Sequence, residues 1–314
     1  NIDAGPGSIG NNPFGTNDGS GHEVNPATGQ PYEPNETRQA DFARVVAEFW
    51  ADGPNSETPP GHWNTLANSA SDDIAALRFR GEGADLDRLE WDIKLYLTLN
   101  GAMHDAAVAA WGSKRYFNSP RPISMIRHLA QLGQSSDPEA DRYHPDGLPL
   151  IDGAIALVTE DNVDDFQLPP GTIAVRAWAG HPVLHSDRDG VTWIDATTWV
   201  PYQLATFVTP SFPGYVSGHS AFSRAGAEVL TAFTGDAYFP GGLGSFTVPA
   251  GWLLFDDGPP EEVTLEWATY ADAADQAGES RMYGGIHISA DDIAGRLIGA
   301  ECGRLAVEKA FALF

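Results

Sequence analysis

Apolar residues recur every three to four positions in several segments of the chain, which is the spacing of one helix face. This pattern predicts helices over residues 37–51, 62–77, 122–132, 217–233, 264–277 and 289–313. A longer run, residues 86–111, is expected to be helical and buried nearly all round, because small residues lie beside its apolar face. That face comprises Leu89, Ile93, Tyr96, Leu97, Met103, Ala107 and Trp111. His104 and Asp105 in the same run are expected to form a hydrogen-bonded pair in the core.

The segments between these helices show no internal repeat and no pattern of a parallel sheet. Residues 133–149 and 161–215 read as long connections, and connections of this length usually form walls or lids of functional sites. Short alternating segments at 245–248 and 252–255 predict one small hairpin. The sequence therefore predicts an all-α fold, a helical bundle with long loops.

The first part of the chain differs in composition from the rest. Residues 1–36 are rich in Gly, Pro, Asn and Thr without a period, which predicts an extended N-terminal arm that lies on another polypeptide segment. Residues 37–314 are expected to form one helical-bundle domain.

Charge and composition exclude several classes of function. The chain has 43 acidic and 18 basic residues and a formal net charge of −25, which repels nucleic acid and anionic membranes. No run of about 18 apolar residues occurs, so no membrane-spanning helix is predicted. The single cysteine, Cys302, excludes an internal disulfide and a cysteine-based zinc cluster.

Cations and histidines occur beside predicted helix ends in three segments. These are Lys114 with Arg121, then Ser217 with Gly218 and His219, and finally Arg281 with His287. Lys114 and Arg121 are expected to follow the long helix across a turn, and Ser289 is expected to cap the last helix. Helix N-termini and arginine guanidinium groups both bind oxyanions. The three segments together therefore predict a site for a negatively charged group.

In order and spacing these segments resemble the three-part signature of the vanadium-dependent haloperoxidases, which the type 2 phosphatidic acid phosphatases and acid phosphatases share. The resemblance covers roughly residues 40–314, and its matching positions are Lys114, Arg121-Pro122, Ser217-Gly218-His219, Ser280-Arg281, Gly285, His287 and Asp291. It implies a helical bundle that holds vanadate or phosphate by one covalent bond to a histidine. One position departs, because Val216 stands where the shared motif usually has proline.

The resemblance implies a role for each matching residue. His287 resembles the axial ligand of vanadium, and His219 resembles the acid–base residue near the apical oxygen. The cations that would neutralise the equatorial oxygens are Lys114, Arg121 and Arg281, and Ser217 and the Gly218 amide would donate hydrogen bonds. Lys114 would also act in catalysis by donating to bound peroxide.

Three further residues connect the chain to one branch of the superfamily. Trp111 and Phe212 resemble the aromatic residues that wall the halide site of the chloroperoxidases, although plain core packing is an equal alternative from the sequence alone. Asp52 resembles an acidic residue behind the site that pairs with an active-site arginine.

The leading hypothesis is a vanadate-dependent haloperoxidase that oxidises chloride or bromide with hydrogen peroxide to a hypohalous species. Phosphate is expected to be able to replace the vanadate cofactor. The first alternative is a phosphatase, with His287 as the nucleophile that forms a phosphoenzyme and His219 as the acid for the leaving group. The second is a non-catalytic oxyanion-binding or assembly module.

The resemblance also bears on partners, location and other metal sites. Members of this branch tend to carry two helical bundles, so we expect a C-terminal half of a larger protein, a partner chain or a homo-oligomer. Secretion or a periplasmic location is expected from the acidic surface. His181 and His185 are four residues apart, as in a helical metal site, but Pro182 and the turn that follows argue against a metal site there.

Overall fold

The computed structural model describes residues 1–8, 18–51, 53, 56–180 and 190–314. Helices dominate this part of the chain and strands form only small antiparallel sheets, so the predicted helical-bundle fold is confirmed. The helices are α1 (Gln39–Phe49), α2 (Pro59–Asp73), α3 (Arg88–Phe117), α4 (Pro122–Leu132), α5 (Val163–Phe166), α6 (Gly218–Thr234), α7 (Tyr270–Tyr283) and α8 (Ser289–Phe311). The strands are β1 (Ile2–Asp3), β2 (Glu36–Thr37), β3 (Ile155–Leu157), β4 (Ile173–Trp178), β5 (Val191–Asp195), β6 (Gly244–Val248) and β7 (Val263–Trp267). Among the described helices, none combines the length and apolar content that a membrane span requires.

Helix α6 lies at the centre of the bundle and packs against α3, α7 and α8. Gly295, Gly299 and Gly303 recur every four residues in α8, and they therefore lie on one face of that helix. A Cβ atom added at these positions would come within 2.5, 2.2 and 2.8 Å of the backbone carbonyl oxygens of Ser217, the N-cap of α6, and of Ala221 and Ala225 within it. The two helices thus approach more closely than any side chain at these positions would permit.

The predicted buried face of α3 is correct at Met103 but wrong over the first half of the helix. Leu89, Ile93 and Leu97 are 70%, 58% and 52% exposed, and Trp111 is also exposed, whereas the buried residues begin with Trp91 and Leu95. Apolar residues occur on every side of this helix, so periodicity alone did not select the side that faces α6 and α8. The expected larger protein, partner chain or homo-oligomer stays a prediction. These exposed apolar residues are the surface that such a partner would cover.

The expected core pair in α3 is also corrected. His104 and Asp105 are 76% and 60% exposed at the side chain, and His104 Nδ1 lies 3.3 Å from Asp105 Oδ1. They lie on the solvent-facing side of α3 with Gly101 and Val108, whereas Ala102 and Ala106 face the core.

The long connection between α4 and α6 contains a sheet that the sequence did not predict. Strands β3, β4 and β5 form an antiparallel sheet in that order, with Ile155 opposite Val175 and Val175 opposite Ile194. A small apolar cluster between this sheet and α4 includes Ala130, Leu148 and Ile173. Part of the connection over residues 161–215 therefore forms a regular antiparallel sheet.

The predicted hairpin has the correct first strand but the wrong second strand. Strand β6 pairs with β7, so that Phe246 lies opposite Leu265, and the predicted second strand, 252–255, is not a strand. Helix α7 consequently begins at Tyr270 rather than at residue 264, with Thr269 as its N-cap.

The described parts of the N-terminal segment contact this chain. Strand β1 pairs with β2, and His22 Nε2 lies 3.0 Å from Asp272 Oδ2 in the first turn of α7. Asn25 and Tyr32 donate hydrogen bonds to the carbonyls of Gly241 and Gly242. The segment lies on its own helical domain at these points.

Candidate active site

The end of α3, the start of α6 and the turn between α7 and α8 meet around one cavity of about 560 Å³. Eight of the predicted site residues line it: Trp111, Lys114, Arg121, Phe212, Gly218, His219, Arg281 and His287. Ser217 is fully buried and is not part of the lining. The three segments that the sequence singled out thus converge in space.

Lys114 lies in the last turn of α3, which continues to Phe117, so the expected turn before it is wrong. Its ammonium group donates hydrogen bonds to the carbonyls of Pro213 and Gly214, each at 2.8 Å. The side chain is 1% exposed. Burial, followed by the charge of Arg121, lowers the pKa of Lys114 from 10.5 to about 7. The site therefore holds an ammonium group whose charge lacks a full counterion.

Arg121 is held by the residues on both sides of the cavity. It precedes Pro122, the first residue of α4, and its Nε donates to the Phe212 carbonyl at 2.9 Å. Nη1 donates to the Ile286 carbonyl at 2.8 Å, and burial lowers the pKa of Arg121 to about 10. Nη2 is buried and has no hydrogen-bond partner among the described residues. A buried cationic donor left in this way is suited to an anionic acceptor.

His287 is fixed through both ring nitrogens. Nδ1 lies 2.8 Å from Oδ2 of Asp291, and because a carboxylate only accepts, Nδ1 carries the proton. Nε2 therefore carries the lone pair of the ring, and it accepts a hydrogen bond from Arg121 Nη1 at 3.0 Å. Burial, followed by the charges of Arg121, Lys114 and Arg281, lowers the pKa of His287 well below its usual value. The imidazole is therefore neutral and its Nε2 is a potential nucleophile or ligand.

The turn that carries His287 depends on glycine. Gly285 has a φ of 70°, and a Cβ atom there would come within 3.1 Å of the Trp199 ring. Helix α8 begins at Ser289 with Ile288 at its N-cap position, so the expected capping role of Ser289 is wrong. The Asp291 carboxylate instead accepts from the Ile288 amide at 3.4 Å, while its other contact holds His287.

Arg281 lies in the last turn of α7 and is 1% exposed. Its Nε donates to Ser280 Oγ at 3.0 Å, and Nη2 donates to the Ala47 carbonyl at 3.4 Å. These contacts orient a third cationic side chain at the cavity wall.

His219 follows the first residue of α6 and lines the cavity. Burial, followed by the charges of Arg281 and His287, lowers its pKa well below the usual value, and a hydrogen bond with the backbone of Trp50 opposes this shift. The ring is therefore neutral near pH 7 and able to accept a proton.

Ser217 and Gly218 occupy the helix start as predicted, but only Gly218 lines the cavity. Ser217 is fully buried and caps α6, because its Oγ accepts from the Ser220 amide at 3.2 Å. The Ser220 hydroxyl lies between Ser217 Oγ, at 2.8 Å, and Asp292 Oδ1, at 2.6 Å. A Cβ atom at Gly218 would meet the Trp111 ring at 3.0 Å, so glycine is required for the indole to lie there.

Trp111 and Phe212 form an aromatic wall beside the lysine. Their ring centroids are 5.2 Å apart, and Lys114 Nζ lies 5.8 and 5.3 Å from them. Both rings are partly exposed, at 43% and 37%, so they are not simple core residues. The wall is apolar and stands next to a cation.

The described lining residues include three cations and no carboxylate. Asp291 contacts His287 from behind the lining. The low pKa of Lys114 and the orphaned Nη2 of Arg121 both indicate a site prepared for an added anion. These donors, with the lone pair of His287 Nε2, fit vanadate or phosphate.

Asp52, His181 and His185 lie outside the described residues. In the part of the chain that the structure describes, no group of three or more histidine, cysteine and acidic side chains is placed to hold a metal ion.

One residue of the site was missed in the sequence, and another was matched to the family signature without its role. Asp291 is among the matching positions, but its contact with His287 was not recognised, although a carboxylate four residues after a histidine was a usable signal. Gln203 lines the cavity from the long connection before α6, where no periodicity marks it.

In this helical bundle, three buried cations and a neutral histidine meet at one cavity, and this combination of charge and donors suits an oxyanion. Residues 94–314 match the family model described as "VCPO second helical-bundle domain". Because this match covers more than half of the chain, the protein belongs to the vanadium haloperoxidase family. No curated protein matches the sequence.

Solved structures with the same fold include two of bacterial vanadium-dependent chloroperoxidase. The holo-type structure is 18% identical with a TM-score of 0.58, and the similarity covers 88% of this chain and 45% of that one. The apo-type structure is 17% identical with a TM-score of 0.53, and the coverage is 92% and 60%. The chain therefore spans about half the length of these proteins, and the similarity establishes the fold.

Proposed function

We propose that the cavity binds vanadate and that the protein is a vanadate-dependent haloperoxidase, which oxidises chloride or bromide with hydrogen peroxide to hypohalous acid. The observation that carries the proposal is the pair formed by His287 and Arg121. A neutral imidazole offers its Nε2 lone pair beside a buried guanidinium whose Nη2 has no partner among the described residues. A ligating nitrogen and an unused cationic donor suit one oxyanion.

The binding groups divide into a ligand and its surroundings. His287 Nε2 would bond to the vanadium, while Lys114, Arg121 and Arg281 would neutralise the oxygens. The Gly218 amide is at the first position of α6, where an N–H has no partner within the helix. Bound vanadate would supply the coordination and activation of peroxide for oxygen transfer to halide.

His219 would manage protons in this reaction. Its pKa is held well below the usual value, so the ring is neutral near pH 7 and would be able to accept a proton from peroxide. The protonated ring would then be able to donate a proton to the hypohalite oxygen.

Trp111 and Phe212 would present an apolar surface to the halide. Removing water from an anion makes it a better nucleophile, and the adjacent Lys114 ammonium limits the cost of that desolvation. The same wall gives little to a polar phosphoester, which favours the peroxidase over the phosphatase.

The test is bromide oxidation by hydrogen peroxide with and without orthovanadate, with a phosphate-ester assay on the same sample. Vanadate-dependent bromination that phosphate inhibits is the expected result. Lys114→Met should remove it, whereas the exposed Lys309→Met should not. Phosphoester turnover that vanadate inhibits, without bromination, would assign a phosphatase. Absence of both activities would assign a non-catalytic oxyanion-binding module.

A further inference from the structure

A buried arginine joins the three helices whose ends meet at the cavity. The side chain of Arg296 in α8 is fully buried, and its Nη1 donates to Asp275 Oδ1 of α7 at 2.8 Å. Its Nε and Nη2 donate to the two carboxylate oxygens of Asp292, one turn earlier in α8, at 3.0 and 2.7 Å. Because a carboxylate only accepts, the Ser220 hydroxyl of α6 donates to Asp292 Oδ1, at 2.6 Å. The Arg296–Asp292 pair therefore contacts α6 and α7 from α8.

Glycine makes room for this pair between the helices. A Cβ atom added at Gly278 of α7 would lie 2.4 Å from Asp292 Oδ1 and 2.6 Å from Arg296 Nη2. A Cβ atom added at Gly295 of α8 would lie 3.0 Å from the Cβ atom of Ser220. A side chain at either position would therefore separate the groups that the pair brings together.

The pair lies in surroundings that disfavour charge. Burial raises the pKa of Asp275 to about 6, although the charges of Arg296 and Arg224 oppose this shift. Glu279 lies 3.7 Å from Arg296 Nη2, and burial raises its pKa as well. A buried ion pair contributes little stability compared with apolar side chains of the same volume. Fixing the relative positions of the helices is therefore the better account of the buried Arg296–Asp292 pair.

The pair contacts α6 and α8 close to the groups that face the oxyanion. On α6, Gly218 lies two residues before Ser220 and lines the cavity. On α8, Asp292 directly follows Asp291, whose carboxylate holds His287. A movement of Ser220 relative to Asp292 would thus move the Gly218 amide relative to the His287 ring.

We propose that Asp292, held by Arg296, is a positioning residue for the oxyanion site, and that it acts by holding the first turn of α6 through Ser220. The contact keeps the Gly218 amide directed at the oxyanion that His287 Nε2 faces. Asp292 and Arg296 do not line the cavity, so they act only through these neighbours. The inference rests on the oxyanion site of the proposed function and does not depend on peroxide chemistry.

The test removes the contact between α6 and the pair without removing the pair. Ser220→Ala deletes the hydroxyl, and the N-cap of α6 is retained because it uses the Ser220 backbone amide. Alanine is also a good helix former, so the helix should persist. Sulfate affinity, measured by calorimetry, should fall about 10-fold, the scale seen when a group that orients a ligand is lost. The matched control is Ser223→Ala, at a buried serine three residues further along α6, which should bind sulfate as the wild type does.

The Gly218 amide supplies a measurement that a role in stability alone would not change. In ¹H–¹⁵N NMR spectra the Gly218 amide proton of the wild type should move downfield when sulfate binds. In Ser220→Ala this movement should be much smaller even when the site is saturated, and in Ser223→Ala it should be unchanged. Thermal unfolding of the same samples measures stability separately.

Three results would overturn the proposal. A loss of thermal stability in Ser220→Ala, with unchanged sulfate affinity and an unchanged Gly218 signal, would assign the pair to stability alone. Equal losses of sulfate affinity in Ser220→Ala and Ser223→Ala would indicate a general loosening of α6. A wild type that binds no sulfate would remove the oxyanion site itself. Failure of halide oxidation, with sulfate binding that still depends on Ser220, would refute only the proposed function and would support the positioning role.

Discussion

Nδ1 of His287 lies 2.8 Å from the Asp291 carboxylate, and this contact determines that the lone pair of the imidazole is on Nε2. The two residues are close in sequence, on either side of the point where α8 begins. A carboxylate behind a ligating histidine sets the tautomer and raises the basicity of the ligand.

Asp291→Asn should weaken vanadate binding about 10–100-fold, the usual cost of losing a partner behind a ligating histidine. The new amide can donate to Nδ1, which would move the ring proton to Nε2 and block the lone pair. Vanadate affinity is measured by equilibrium dialysis, with the exposed Asp146→Asn as the control. An affinity equal to that of the wild type would show that the carboxylate does not set the tautomer.

When an anion binds to the site, Lys114 should take up a proton. Its pKa is lowered to about 7 by burial and Arg121, and an oxyanion beside it would raise that pKa towards 10.5. Above about pH 7 the free protein has lost the proton that the complex retains, so affinity should fall as pH rises. Sulfate is the appropriate probe because it keeps its charge over this range.

The measurement is calorimetry of sulfate binding in buffers of different ionisation enthalpy. At about pH 8 the wild type should take up close to one proton for each sulfate bound. Lys114→Met should bind sulfate more weakly and without that uptake. A buffer-independent binding enthalpy in the wild type would contradict the lowered pKa.

Gly299→Ala should destabilise the fold by about 1–3 kcal/mol, the usual cost of overpacking a well-packed core. The added Cβ would lie 2.2 Å from the Ala221 carbonyl oxygen and would separate α6 from α8. The matched control is Gly101→Ala in α3, where the Cβ would meet nothing within 4 Å. That change should stabilise the protein by about 0.5–1 kcal/mol through helix propensity.

Thermal and urea unfolding of both variants would check this prediction. Equal effects of the two substitutions would mean that the α6–α8 contact does not limit the side chain at position 299.

The sequence revealed the oxyanion site because its groups occur in three short segments, each next to a helix end. These residues, Lys114, Arg121, Arg281 and His287, could be identified without knowing how distant parts of the chain pack. Gln203 could not be found, because it enters the cavity from a long connection whose path depends on tertiary contacts.

The fold was harder to predict where a strand could pair with several segments or a helix could bury several faces. Strand β6 pairs with β7 across a segment of which Leu253 and Phe255 are buried, and local alternation did not indicate so distant a partner. In α3 the apolar residues occur on all sides, so the helix was evident and its buried face was not. Local chemistry was thus easier to predict than long-range packing.

Vanadate binding by His287→Ala is the most direct test of the account. The wild type should bind one vanadate per chain, and the variant should bind none, with unchanged helical content by circular dichroism. The exposed His128→Ala serves as the control and should bind as the wild type does. Undiminished vanadate affinity in His287→Ala would contradict the assignment of His287 Nε2 as the ligand.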